Sequence, residues 1–129
     1  MGDAAARSAP IPELPFLSPA EWSVFSLLSK KGPLTVRQLV SELEASSEAP
    51  RSYTTVLTLA QRVAAKGYLH QSEKAAPHGP ASAITYSSCV SYADTLKRHA
   101  ERFLDQYALG DPEDLLLVRE IIDQHLGSS

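Results

Sequence analysis

The 129-residue sequence has one cysteine, six glycines, few aromatics, no excess of basic residues and no long apolar run. Each shortage excludes something. The lone Cys89 cannot close an internal disulfide and cannot by itself hold a structural metal, which fits a reducing compartment and a small buried side chain. The apolar stretches last only a few residues, far below the ~18 of a membrane span, and the N-terminus lacks the apolar segment of a signal peptide. A soluble, cytoplasmic protein is expected. Ala6 stands where myristoylation needs a hydroxyl residue. His70, His78, His99 and His125 are scattered without a His-x-x-x-His or Glu-x-x-His pair, so neither a metal nor another cofactor is expected. A phosphate-cradling glycine loop, a nucleophile elbow and an acid/base constellation are all missing, which argues against an enzyme.

What is present is enough apolar content, 43%, to build one compact domain with a short appendage. The net charge of -3 is unevenly placed. Residues 1–90 carry eight Lys/Arg against seven Asp/Glu, and residues 91–129 carry four against eight. A mildly basic segment therefore precedes an acidic one, a pattern compatible with a polyanionic partner for the first part.

The opening stretch, "MGDAAARSAPIPELPFL", is rich in proline and lacks periodicity. It reads as a flexible arm over 1–16 whose end, Phe16-Leu17, tucks against the body. Ser18 then serves as an N-cap with Pro19 at the first helical position and Glu21 completing a capping box. Trp22, Phe25 and Leu28 form the apolar face of this first helix, and Gly32-Pro33 stops it. Thr35 caps a second helix with Val36, Leu39, Val40 and Leu43 at helical spacing.

The third helix, "SYTTVLTLAQRVAAKGYL", raises the functional question. Val56, Leu59 and Val63 make one apolar face, with Leu57, Ala60 and Ala64 widening it. Arg51, Thr55, Thr58 and Arg62 are spaced four, three and four, which places them together on the opposite side. A merely solvated face would more often carry Glu and Lys. Threonine hydroxyls and methyls suit phosphates and base edges, and an arginine suits a phosphate or guanine. Three neighbours carry two readings each: Ser52 is an N-cap or a contact, Tyr53 is core or a contact, and Thr54 is exposed or a contact. Lys66 is a helix-end charge or a phosphate contact, and Gly67 ends the helix in the left-handed conformation.

After Gly67 the period changes. "YLHQS" and "AITYS" read as strands joined by "EKAAPHGPAS", a hairpin with Lys74 and His78 in its loop. Three helices followed by a hairpin is the order of a winged helix-turn-helix domain over 17–90, mainly α with a small β-hairpin. Beyond it, Tyr92, Leu96, His99, Phe103 and Tyr107 share one side of a helix that Leu109-Gly110 closes. A final helix from Asp111-Pro112 carries Leu115, Val118, Ile121, Ile122 and Leu126. Two such helices over 91–129 cannot bury their faces alone. They are expected to pair with a second copy, giving a homodimer that presents two reading helices to a palindromic double-stranded DNA operator. Folding back onto the same domain is the alternative.

"LSPAEWSVFSLLSKKGPLTVRQLVSEL" together with "SYTTVLTLAQRVAAKGYL" resembles the penicillinase-repressor family of winged-helix transcriptional regulators, closely over residues 17–72 and loosely beyond. The resemblance implies a dimeric repressor on a palindrome overlapping a promoter, with base contacts from the third helix and phosphate contacts from the wing. The matching positions of the third helix are Ser52, Tyr53, Thr54, Thr55, Thr58 and Arg62. Two departures matter. The wing offers only Lys74 and His78 where the family carries arginines, so its contacts should be weak or relocated. The C-terminal part is short for the family, as if the segment between its last two helices, where a sensor protease cleaves, were missing or the final helix were cut, and it has no cysteine after Cys89 where copper-responsive members carry a pair, so the resemblance does not extend to either mode of induction. A protein-interaction adaptor that has lost DNA binding is the competing class, and exposed aromatics or aliphatics on the third helix would mark it. An effector acting through Cys89 is a third. No residue pattern names the inducer.

Overall fold

The computed structural model describes residues 14–46, 51–75, 82–108 and 110–127, without the side chains of 73–75 and 82–83. The chain divides into two compact units, residues 1–92 and 93–129.

The first unit opens with α1, Pro19–Lys31. Its capping box is complete: the Ser18 hydroxyl accepts from the Glu21 amide at 3.2 Å, and Glu21 Oε1 accepts from the Ser18 amide at 2.8 Å. Gly32, at φ 92°, closes the helix as expected and turns the chain into β1, Leu34–Thr35. Thr35 caps α2, Val36–Ala45, through a second capping box with Gln38 that the sequence reading had not included. Helix α3 spans Tyr53–Ala65. Lys66 is its cap, and the Gly67 and Tyr68 amides donate to the Ala64 and Val63 carbonyls at 3.0 and 3.3 Å. That pairing needs a left-handed residue after the cap, and Gly67 supplies it at φ 100°.

The hairpin is longer than its sequence suggested. Strands β2, Leu69–Ala75, and β3, Ser82–Ser88, pair antiparallel from Leu69↔Ser88 to Ala75↔Ser82. Strand β1 adds to the other edge of β3 through Leu34↔Tyr86 and Thr35↔Thr85, making a three-stranded sheet of order β1-β3-β2 where a two-stranded hairpin was expected. Leu34 and the extended cap residue Thr35 suffice to find a neighbour once the tertiary fold brings β3 alongside.

Val24, Phe25 and Leu28 of α1, Leu39 of α2, and Val56, Ala60 and Val63 of α3 are essentially inaccessible, together with Tyr68 and Tyr86. Each large aliphatic or aromatic member contributes about 2 kcal/mol relative to exposure. Phe25 centres an aromatic cluster, with edge contacts to Trp22 and Tyr68 at 5.4 Å and a stacked contact to Tyr92 at 6.0 Å. The end of the arm does tuck in: Leu17 is buried, and the Tyr68 hydroxyl donates to the Pro15 carbonyl at 2.7 Å.

The second unit contains most of α4, Tyr92–Tyr107, and α5, Pro112–Gly127. Asp111 accepts from the Glu113 amide at 2.9 Å at the start of α5. Among the described residues no helix is long and apolar enough to cross a membrane.

Candidate nucleic-acid interface

Helix α3 is held by Val56, Leu59, Ala60 and Val63, all buried, and this fixes which side it turns outward. Thr54, Thr55, Gln61, Arg62 and Ala65 are exposed and Thr58 is half-buried. The polar stripe predicted from Thr55, Thr58 and Arg62 is therefore on the outside. Arg51 departs from it: the helix begins at Tyr53, so the four-residue step from Arg51 to Thr55 crosses the non-helical cap and does not place the two in one helical register. Arg51 is half-buried beside the helix entrance.

Ser52 is the N-cap. Its hydroxyl accepts from the Thr55 amide at 3.1 Å and donates to Thr55 Oγ1 at 3.0 Å, which orients the Thr55 side chain. Tyr53 is not a core residue, being 48% exposed. The Arg37 guanidinium of α2 stands 5.8 Å from the Tyr53 ring centroid. A cation over an aromatic face is held in place at the entrance of α3 without losing its charge. Tyr53 also adds to burial in pushing the Tyr86 phenol above its ordinary value.

Lys66 stands at the end of α3, as the first of its two readings had it, and its charge is engaged within the first unit. Its ammonium lies 2.6 Å from Glu21 Oε1 and donates to the Phe16 carbonyl at 2.9 Å. It clasps the end of α3 to the first turn of α1 and the end of the arm. Burial opposes ionisation of Glu21, but the Lys66 hydrogen bond and charge, with the Ser18 amide and hydroxyl, outweigh it and hold the carboxyl below its ordinary range. Lys74 lies within β2 opposite Ala83, not in the loop. Its side chain, and His78, lie outside the described residues. Cys89 is exposed, contrary to expectation: it follows the last residue of β3, its amide donates to the Tyr68 carbonyl at 3.0 Å, and Val90 after it is the residue that is buried. Its thiol donates to the Gly67 carbonyl at 3.5 Å, and partial desolvation by the chain around it pushes the thiol above its ordinary range although the residue as a whole is exposed, which disfavours a reactive thiolate.

The expected pairing residues divide. Leu96, Phe103, Tyr107, Leu115 and Ile122 are exposed, as are Leu116, Leu117, Ile121 and Leu126. Phe103 and Tyr107 touch, ring centroids 4.9 Å apart. Val118 and His99 are half-buried, and His99 Nδ1 lies 2.9 Å from the Thr95 carbonyl. Tyr92 is different: its ring packs 5.6 Å from Trp22, stacks on Phe25 and carries Lys30 over its face at 5.3 Å. It completes the first unit's aromatic cluster instead of joining the outward apolar face of α4.

The penicillinase repressor family matches residues 17–127. The chain belongs to this family. It is accordingly a transcription regulator and not an enzyme, and its three helices and wing form a winged-helix domain. No curated protein matches it. Among solved structures, the hsRosR-S1 complex matches with a TM-score of 0.52 and 13% identity, over 87% of this chain and 94% of the other. That likeness shows the fold alone. A probable transcriptional regulator from Pseudomonas aeruginosa matches with a TM-score of 0.46 and 21% identity, over 84% of this chain and 77% of the other.

Two residues of this penicillinase-repressor-family protein escaped the sequence reading. Gln61 shares the outward side with Thr54, Thr58 and Arg62, three residues after Thr58, and extending the stripe C-terminally by helical spacing would have found it. Arg37 gave no such signal, because its neighbour Tyr53 lies on another helix.

Proposed function

We propose that this protein is a cytoplasmic, homodimeric repressor that binds a palindromic operator and blocks polymerase by occupying the promoter. The carrying observation is the outward side of α3, which presents hydroxyl, amide and guanidinium groups around Thr54, Thr55, Thr58, Gln61 and Arg62 over a wholly apolar inward side. In this reading α3 enters the major groove, Thr55, Thr58 and Arg62 face base edges or phosphates, and Thr54 lies alongside. Ser52 orients Thr55, and the half-exposed Tyr53 holds Arg37 against the backbone at the groove's edge. Arg37 thus takes up the anchoring that a wing poor in cations supplies weakly, with Arg51 and Lys74 as secondary charges.

The exposed apolar residues of α4 and α5 support self-association. Phe103, Leu116, Leu117, Ile121, Ile122 and Leu126 are each about half or more exposed, too much apolar surface for two short helices to leave in water. A two-fold pairing through Leu96, Phe103, Tyr107, Leu115, Val118 and Ile122 would cover part of it and give the dimer two reading helices for the two halves of a palindrome.

Selection from a random duplex pool, followed by salt titration of the winner with wild-type, Thr55→Ala and Arg62→Ala proteins, tests the proposal. A palindromic winner, binding that falls steeply with salt, and relaxed preference in the Thr55 variant are expected. Absence of any enriched sequence, with feeble binding at low salt, would overturn it and favour a protein-interaction adaptor.

A further inference from the structure

We propose that Gln61 reads an adenine in each half-site of the operator, an assignment that rests on the DNA-reading role of α3 proposed above. Gln61 is exposed on α3, and among the described residues its amide has no hydrogen bond or ion pair. It lies across the helix from Val56, Leu59 and Ala60, which are buried in the core. A helix lying in the major groove reads with side chains at i, i+3, i+4 and i+7. Thr58, Gln61, Arg62 and Ala65 have that spacing, and none of the four is buried. Ala65 has no reach, and Thr58 is short and half-buried. Gln61 and Arg62 are therefore the long groups at the centre of the face.

The chemistry of the two differs. An arginine donates from every nitrogen and pairs with the two acceptors of guanine, N7 and O6, or with a phosphate. A glutamine amide carries one acceptor oxygen and a donor NH2 in a single plane. The major-groove edge of adenine offers the complement, the N7 acceptor beside the N6 donor, so both amide groups are satisfied at once. Against guanine the amide oxygen would face O6, acceptor to acceptor. Against thymine it meets one acceptor and a methyl group. An unpaired amide group in a closed groove is costly, so discrimination follows from satisfaction and not from contact alone.

The test uses the full-length protein and Gln61→Ala, an exposed helical substitution that leaves the core untouched. Both proteins are put through pool selection. Both are then titrated against the winning duplex, against duplexes with each other base pair at the candidate position, and against one in which that adenine is 7-deazaadenine. The deaza base removes the N7 acceptor and keeps Watson–Crick pairing. Wild type should prefer adenine by about five- to a hundredfold per half-site and should lose much of this on the deaza duplex. Gln61→Ala should be level across the four bases at that position alone and indifferent to the deaza base. If Gln61→Ala keeps the adenine preference, or weakens every sequence equally as loss of a phosphate contact would, the assignment is overturned while the operator-binding proposal stands. If wild type enriches no sequence, the operator-binding proposal fails and the assignment falls with it.

Discussion

Lys66 and Glu21, 45 positions apart in the chain, meet at 2.6 Å with side chains 28% and 6% exposed. The contact joins the cap of α3 to the first turn of α1, and the Phe16 carbonyl brings the end of the arm into the same clasp. Glu21 has two tasks, since the oxygen that receives the ammonium also accepts from the Ser18 amide.

Removing the cation should therefore cost more than an exposed ion pair would. Lys66→Met leaves a buried carboxylate unpaired, and a loss of about 2 kcal/mol is expected after discounting for the partial exposure of the lysine. Urea unfolding measures it. Because Lys66 is committed internally, operator binding by the folded variant should keep the wild-type salt slope. A slope reduced by about one would show that Lys66 touches a phosphate instead.

The same clasp sets an acid limit. Glu21 titrates below the ordinary carboxylate value of 4.5 when folded, so the unfolded chain binds more protons across the interval between the two values. Its contribution is fully present above the unfolded value and is lost as pH falls through the folded one. Wild-type stability should decline as pH is lowered from about 5 to 3, and Glu21→Gln should flatten that decline. Denaturant midpoints at stepped pH give the answer; an unchanged slope in the variant would rule Glu21 out as its source.

Arg37→Ala should weaken binding to all duplexes alike and reduce the dependence of log K on log salt by about one, with no change in the selected sequence. Tyr53→Leu, which removes the ring beneath the guanidinium, should act in the same direction more weakly. A shift in sequence preference in the Arg37 variant would mean that the guanidinium reaches a base.

Ile122→Asp, in the exposed apolar set of α5, should convert a dimer into a monomer in sedimentation equilibrium, because a carboxylate buried in an apolar interface lacks a partner. The winged-helix unit should keep its circular dichroism. Operator affinity should fall at least about tenfold, since two linked half-site contacts become one. A variant that sediments as wild type would remove Ile122 from the pairing face.

The local features were legible because their physics spans three or four residues. Ser18 with Glu21, Thr35, Ser52 and Gly67 each announce a helix end through one side chain or one backbone angle, and each is realised. The apolar repeat of Val56, Leu59 and Val63 likewise determined which side of α3 is buried, and so which threonines are left outside. Periodicity overreached where it ignored the helix boundary, as with Arg51, and where a side chain on a helical repeat found a partner elsewhere, as with Tyr92.

The amino-acid sequence by itself determined the order of elements, the caps, the inward side of α3 and the polar character of its outward side, because these follow from short-range hydrogen bonding and hydrophobic spacing. Only the tertiary structure decided that Lys66 closes on Glu21, that Arg37 stands over Tyr53, that Tyr92 completes the Phe25 cluster and that Leu34-Thr35 joins the sheet. Those contacts join residues far apart in the chain, and no local pattern encodes which distant partner packing will bring within reach.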